Sequence, residues 1–175
     1  MFALLLIVVF VPMLIEARRA ARNERLQRSR GGVEPPGDVY SLMRVAYPAA
    51  FLVMIGEGFW REAQRAPAVP DLRVAILGLA LFFAAKALKW WAIVALGPSW
   101  TFRVVVVPGA ARVAGGPYAY LRHPNYVAVV LELAAVALMS GARVSGPLAT
   151  VAFGALMMKR ISVEERALRQ AHGGR

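Results

Sequence analysis

The amino-acid sequence predicts an all-α integral membrane protein, a single membrane domain over residues 1–175 with about five transmembrane helices. Of its residues, 59% are hydrophobic and the mean hydropathy is +0.55, which is more apolar than an ordinary soluble domain. Apolar stretches close to the roughly 20 residues that span a bilayer recur along the chain. The formal charge of +11 lies mostly beside these stretches, where anionic headgroups explain it better than nucleic acid does.

The first span is predicted at 2–17, with Glu16 at the membrane interface. A signal peptide would carry basic residues before its apolar core, whereas here six arginines follow the core between positions 18 and 30. We therefore expect an uncleaved first helix with its N-terminus outside. The basic segment 18–40 is expected to continue as an interfacial helix until Gly31 and Gly32, after which Pro35-Pro36-Gly37 prevents further helix.

Spans two and three are predicted at 41–60 and 72–96, joined by a polar loop over 61–71 with Pro67 and Pro70. Lys86 and Lys89 lie three residues apart and therefore on one face of the third span. Lys86 is expected to extend its ammonium group to the interface. Lys89 could instead reach a polar site, because ionisable groups inside spans are functional candidates.

The segment 97–126 is predicted to lie outside the membrane before the next span. Its valine run over 104–107, followed by Pro108 and Gly109, is typical of a short extended strand and a turn. Trp100 and Phe102 are expected at headgroup level.

Spans four and five are predicted at 125–140 and 144–158, with a helical tail over 159–170. The tight break at 141–143 makes them an antiparallel hairpin. Basic residues concentrate in 18–40, 97–126 and the tail, whereas the opposite loops hold few, namely Arg61, Arg65, Arg73 and Arg143. The positive-inside rule then places the C-terminus and both polar clusters, 115–126 and 159–165, in the cytoplasm.

These two polar clusters are expected to meet, because the hairpin brings the start of span four beside the end of span five. Glu132 lies about two turns deeper than Tyr126, and a carboxylate inside a membrane needs a partner or a task. The sequence predicts a cytoplasmic cofactor pocket formed by the catalytic half, 97–170, with a charged mouth and an apolar interior. The chain has no cysteine, which excludes thiolate nucleophiles, and its two histidines give no expected metal site.

The ordered motifs of this half resemble the isoprenylcysteine carboxyl methyltransferase family and its phospholipid-methyltransferase relatives. They are Gly116-Pro117-Tyr118, Arg122-His123-Pro124-Asn125-Tyr126, Arg160 and Glu164-Glu165. The whole chain is similar to a small bacterial branch whose genes often neighbour type III polyketide synthases. The resemblance implies an O-methyltransferase of a lipophilic acceptor in the bacterial cell membrane, and a long-chain pyrone or phenolic lipid is the expected acceptor.

The resemblance also implies S-adenosylmethionine as cofactor and assigns roles to the motif residues. Expected cofactor-binding residues are Val113, Gly116, Tyr118, His123, Asn125, Tyr126, Glu164 and Glu165. Arg160 would orient the oxygen of the acceptor. A phenol or enol benefits from a base, for which Glu132 is the candidate, whereas a carboxylate needs only a cation.

Three alternatives stay open at this point. The acceptor could be an isoprenylcysteine-like carboxylate. The protein could be an NADPH-dependent membrane reductase related to sterol reductases, or a non-enzymatic scaffold, which would leave Glu132 and the His123 cluster without a task. No soluble-type glycine-rich nucleotide loop follows a predicted strand, so a Rossmann methyltransferase is excluded. Membrane lipids and the acceptor are the expected partners, and nucleic acid is not.

Overall fold

Among the residues that the structure describes there are five α-helices and two short 3₁₀ turns, and no strand. The computed structural model describes residues 2–64, 71–111 and 113–172. Its helices are α1 (Phe2–Ser29), α2 (Tyr40–Ala63), α3 (Leu72–Leu96), α4 (Pro124–Ser140) and α5 (Ser145–His172). The 3₁₀ turns are Gly97–Ser99 and Gly116–Ala119, and a single antiparallel bridge joins Val33 to Val106. The predicted all-helical fold is confirmed.

The helices begin close to the predicted spans, but α1 and α5 are longer. α3 has the predicted bounds, whereas α1 runs on to Ser29 and α5 to His172 without a break. Each of these two has 28 residues, and is therefore about 42 Å long. That exceeds the roughly 30 Å hydrocarbon core of a bilayer, so each can cross it and extend beyond. The predicted loop 61–71 lies mostly outside the described residues, since 65–70, with Arg65, Pro67 and Pro70, are not among them.

In the described part of the chain, two helical segments are long and apolar enough to cross a membrane. They are Tyr40–Ala63, which is α2, and Leu72–Ser99, which contains α3; α4 is apolar but shorter, with 17 residues. α1 exposes Leu4, Ile7, Val11 and Leu14 at helical spacing, an apolar surface of the kind that lipid covers. Spanning by all five helices and their orientation stay predictions.

α4 is the central helix of the bundle. Its Leu133 and Val136 are fully buried in a core to which all five helices contribute apolar side chains. Two glycines let the neighbouring helices approach α4 closely. A Cβ atom at Gly58 of α2 would lie 2.1 Å from the carbonyl oxygen of Ser140, and one at Gly78 of α3 would lie 2.9 Å from several α4 atoms. Close approach over small residues is a common way for membrane helices to pack.

Four charged side chains are buried where α1, α3 and α4 meet, and we call them the ion quartet: Glu16, Lys86, Lys89 and Glu132. Lys86 Nζ lies 2.8 Å from Glu16 Oε1 and 3.1 Å from Glu132 Oε2. Lys89 Nζ lies 3.1 Å from Glu16 Oε2 and 3.0 Å from Glu132 Oε1. Tyr47 of α2 donates its O–H to Glu132 Oε2 at 2.8 Å.

The ion quartet corrects two expectations. Lys86 does not extend its ammonium group to the surface and the Glu16 carboxylate does not lie exposed there, since their side chains are only 10% and 1% exposed. Two positive and two negative charges cancel, which reduces the cost of burying each of them. Lys86 and Glu16 are 70 positions apart, so no local spacing in the sequence reveals the pairing.

The turn between α4 and α5 is fixed by Glu57 of α2. Gly141 ends α4 with a φ of +70°, a conformation that favours glycine. The Glu57 carboxylate then accepts backbone N–H groups of Arg143, Val144 and Ser145 at 2.9, 3.1 and 2.8 Å. This contact caps the start of α5, and the predicted helical hairpin is confirmed. The opposite ends of α4 and α5 consequently lie side by side.

Candidate active site

A cleft lies at that end, between α4, α5 and the segment that follows α3. It has a volume of about 170 Å³ and is lined by the valines of 104–107 together with polar and aromatic side chains. A second cleft of about 580 Å³ adjoins it and shares Val113, Tyr118 and Arg122. Small-molecule sites usually measure about 300–1,000 Å³. The first cleft alone is below this range, whereas the two together fall within it.

The two polar clusters meet at this cleft, as the hairpin predicts. Tyr126 on α4 donates its O–H to Glu164 Oε2 on α5 at 2.5 Å, and its oxygen accepts Arg160 Nε at 3.1 Å. The His123 ring stacks on Tyr126 with a centroid separation of 5.5 Å and an angle of 10°. His123 Nε2 lies 3.4 Å from Glu165 Oε1. Five of the predicted site side chains are thus joined by direct contacts.

Arg160 is the buried cation of the cleft, with a side chain that is 4% exposed. Besides Tyr126, its guanidinium donates to the carbonyl oxygen of Phe102. Nη1 lies 3.4 Å from Met43 Sδ and 3.8 Å from Asp38 Oδ1. The cation is therefore held by residues from three separate parts of the chain.

Asp38 is a partner of Arg160 that the sequence did not reveal. It lies just before α2, and its Oδ1 accepts the N–H of Tyr40 at 3.1 Å while its Oδ2 accepts the N–H of Val104 at 2.9 Å. An aspartate after Pro35-Pro36-Gly37 and before a helix indicates a turn. Nothing local connects it to Arg160, which is 122 positions further along the chain.

The second half of α1 also packs against this end of the molecule. Asn23 Nδ2 donates to the carbonyl oxygens of Trp100 at 2.8 Å and Gly97 at 3.1 Å, and Gln27 Nε2 donates to that of Pro98 at 2.9 Å. Trp100 is 1% exposed, so it is enclosed by protein and is not an exposed anchor, and its depth in the membrane stays a prediction. Contacts from α1 enclose it in protein, and its indole N–H donates to Asn125 Oδ1 at 3.3 Å.

Most of the predicted site residues line the clefts. The first cleft is lined by Val113, Tyr118, His123, Asn125, Tyr126, Arg160 and Glu164, and the second by Glu165. Glu132 lies in the ion quartet and does not line the first cleft. Its carboxylate already has structural partners there, and its role as a base stays a prediction.

Gly116 serves the packing of its turn against α3. Its φ is +63°, and a Cβ atom at this position would lie 2.9 Å from Ala95 Cβ and 3.3 Å from Trp91 Nε1. The turn that carries Tyr118 can therefore approach α3 only because residue 116 has no side chain. A direct contact of Gly116 with the cofactor stays a prediction.

Gly116→Ala is expected to displace this turn, weaken cofactor binding and destabilise the protein by about 1–3 kcal/mol, since the added methyl group overpacks the contact with α3 at a positive φ. Gly115→Ala is the matched control, because Gly115 has a φ of −90° and open space around its Cα. Thermal unfolding in detergent and cofactor titration compare the two variants. Equal behaviour of both would contradict this account of the turn.

Glu165 and Tyr118 at the mouth of the cleft differ in their protonation states at neutral pH. A hydrogen bond with His123 lowers the pKa of Glu165 below its ordinary value. Burial, and next the charge of Glu164, raise the pKa of Tyr118 well above its ordinary value. At neutral pH the mouth therefore presents an anionic Glu165 and a neutral Tyr118 hydroxyl group.

Comparisons with known proteins show the family to which the chain belongs. The model of the isoprenylcysteine carboxyl methyltransferase (ICMT) family matches residues 76–170, a range that contains all the predicted site residues. The chain is 30% identical over 170 residues to the uncharacterized protein YpbQ of Bacillus subtilis (strain 168), with 97% of this chain and 98% of YpbQ covered. No solved structure matches significantly. The chain therefore belongs to the isoprenylcysteine carboxyl methyltransferase family.

Proposed function

We propose that the protein is a membrane-embedded, S-adenosylmethionine-dependent O-methyltransferase of a lipophilic acceptor. The observation that carries this proposal is the convergence of His123, Tyr126, Arg160 and Glu164 on one cleft, in a chain whose family consists of membrane-embedded methyltransferases. A long-chain pyrone or phenolic lipid is the proposed acceptor. We place the cleft on the cytoplasmic side, where a soluble cofactor arrives.

The chemistry of the cleft suits S-adenosylmethionine. Glu164 and Glu165 offer carboxylates to its ammonium group, and the ring faces of His123, Tyr126 and Tyr118 suit a cationic sulfonium. When bound, the cofactor supplies an electrophilic methyl group that an acceptor oxygen takes by in-line displacement. The valines of 104–107 form an apolar wall, which keeps water from competing with the acceptor.

Arg160 is proposed to hold the acceptor oxygen. A guanidinium has five N–H donors, and the contacts with Tyr126, Phe102 and Met43 engage three of its nitrogens. Each terminal nitrogen carries a second N–H, which can donate a hydrogen bond to the oxygen of the methyl acceptor. Because Arg160 is buried and fixed on several sides, it is preorganised for this contact.

A hydroxyl acceptor must also release its proton. Glu132 is the base that the sequence proposes, but both of its oxygens face ammonium groups of the ion quartet. Among the described acidic side chains, Glu164 is the one that lines the first cleft. We propose that Glu164 accepts this proton and passes it to water at the mouth of the cleft, with Glu132 as the second candidate base.

Binding of labelled S-adenosylmethionine and of NADPH to the detergent-purified protein tests the proposal. We expect saturable binding of S-adenosylmethionine alone, because the cleft supplies carboxylates for its cations. Mass spectrometry of lipid extracts from cells with and without the protein should then show a lipid that gains the mass of one methylene unit. NADPH binding alone would favour a reductase, and binding of neither would favour a scaffold.

A further inference from the structure

Asp38 is positioned to influence what Arg160 can bind. Its side chain is 2% exposed, and its Oδ1 lies 3.8 Å from Arg160 Nη1. Backbone N–H groups of Tyr40 and Val104 hold its two oxygens at 3.1 and 2.9 Å. Because each oxygen has its own backbone donor, the carboxylate cannot turn away from the guanidinium without losing a hydrogen bond.

Two carboxylates offset the positive charge of Arg160. Asp38 faces it directly, and Glu164 faces it through the Tyr126 hydroxyl group, which accepts from Arg160 at 3.1 Å and donates to Glu164 at 2.5 Å. A carboxylate acceptor would add a third negative charge next to one guanidinium, whereas a hydroxyl acceptor adds none. The charge of the cofactor is the same in both cases and does not affect this comparison.

Asp38 lies outside residues 76–170, which match the family model. The counter-charge of Arg160 is therefore supplied by the N-terminal part of the chain, and the family match does not account for it. Resting on the proposed methyl transfer, we infer that Asp38 determines acceptor selectivity. By offsetting the charge of Arg160, it favours a lipophilic acceptor that presents a hydroxyl group over one that presents a carboxylate.

The test compares two acceptors with the same alkyl chain, an alkylphenol and a fatty acid, on the full-length protein in detergent. Wild-type protein is expected to have the higher kcat/KM with the phenol. Asp38→Asn should shift the ratio of the two kcat/KM values towards the fatty acid by about tenfold or more, because a nearby like charge is removed. The Kd of S-adenosylmethionine should not change.

Glu34→Gln is the matched control on the same segment, 30–39, which connects α1 to α2 and which we call the connector. Glu34 accepts Arg103 Nη1 at 2.7 Å and Arg28 Nη2 at 2.9 Å, so it also ties the connector to the segment after α3. Its partners do not include Arg160, and we expect the wild-type ratio of kcat/KM values. Asp38→Ser is the second variant, in case Asp38→Asn does not fold. Serine keeps an acceptor for the N–H of Tyr40 and removes the charge.

Two results would overturn the role of Asp38. One is a wild-type protein that methylates the fatty acid faster than the phenol, and the other is a wild-type ratio in folded Asp38 variants. A wild-type protein that does not bind S-adenosylmethionine would instead overturn the proposed function, and the selectivity inference with it. The binding measurement therefore tells the two failures apart.

Discussion

Arg160→Ala is expected to lower methyl transfer by about 100-fold or more, the usual effect of losing one preorganised donor to the reacting oxygen. S-adenosylmethionine binding should change little, because Glu164 and Glu165 are the proposed ligands of its cationic groups. Arg160→Lys keeps the charge but loses the planar fork that reaches Tyr126 and Phe102 together. It should therefore fall between wild type and Arg160→Ala. Initial rates with saturating cofactor, together with a cofactor titration, measure both quantities.

Arg166→Ala is the control for this prediction, since Arg166 is an exposed residue of the same helix. It should retain the wild-type rate. Removing Arg160 also leaves Asp38 as a buried carboxylate without its cation, so thermal unfolding has to be recorded for each variant. An equal loss of turnover and cofactor affinity in folded Arg160→Ala protein would mean that Arg160 binds the cofactor instead.

Glu132→Gln and Glu16→Gln are each expected to destabilise the protein by about 3 kcal/mol or more, because either change leaves the ion quartet with an uncompensated buried charge. That corresponds to a drop in Tm of roughly 6–12 °C for a chain of this size. Thermal unfolding in detergent measures the loss. Lys159→Met, an exposed change on α5, should leave Tm nearly unaltered.

The same two variants decide whether Glu132 acts as a base. Both carboxylates contact Lys86 and Lys89, so Glu16→Gln is a matched control for the structural part of the effect. If Glu132 takes the proton of a phenolic acceptor, Glu132→Gln alone should change the pH dependence of turnover. Equal pH profiles for both variants would remove that role and leave Glu132 as a structural residue.

Hydropathy and helix-breaking residues were sufficient to predict the helices. The bounds of α3 follow from an apolar run between Asp71 and Gly97, and the α4–α5 hairpin follows from Gly141 and the short turn. Because that turn fixes which helix ends adjoin, the meeting of Tyr126 with Arg160 and Glu164 could also be predicted. This part of the site lies on two helices that are consecutive in the sequence, and its motifs can be recognised there by their order.

Contacts between distant segments could not be predicted in the same way. The distance of Glu16 from Lys86 and of Asp38 from Arg160 depends on how α1 and the connector pack against the bundle. A single charged residue near the end of an apolar run has the same local pattern whether it reaches the surface or a buried partner. Only the folded structure distinguishes these cases, and it overturned the expectation that Lys86 and Glu16 reach the surface.

The four charges of the ion quartet are synthesised in an order that leaves them unbalanced until α4 is made. A chain is synthesised from its N-terminus, and Glu16 is made 70 and 73 positions before Lys86 and Lys89. α1 is therefore synthesised with a carboxylate whose counter-charges are still to be translated. When α3 follows, its two lysines bring the sum of these charges to +1. Only α4, with Glu132, makes the sum zero. We therefore expect the native packing of α1 to be completed late, after the central helix has been synthesised.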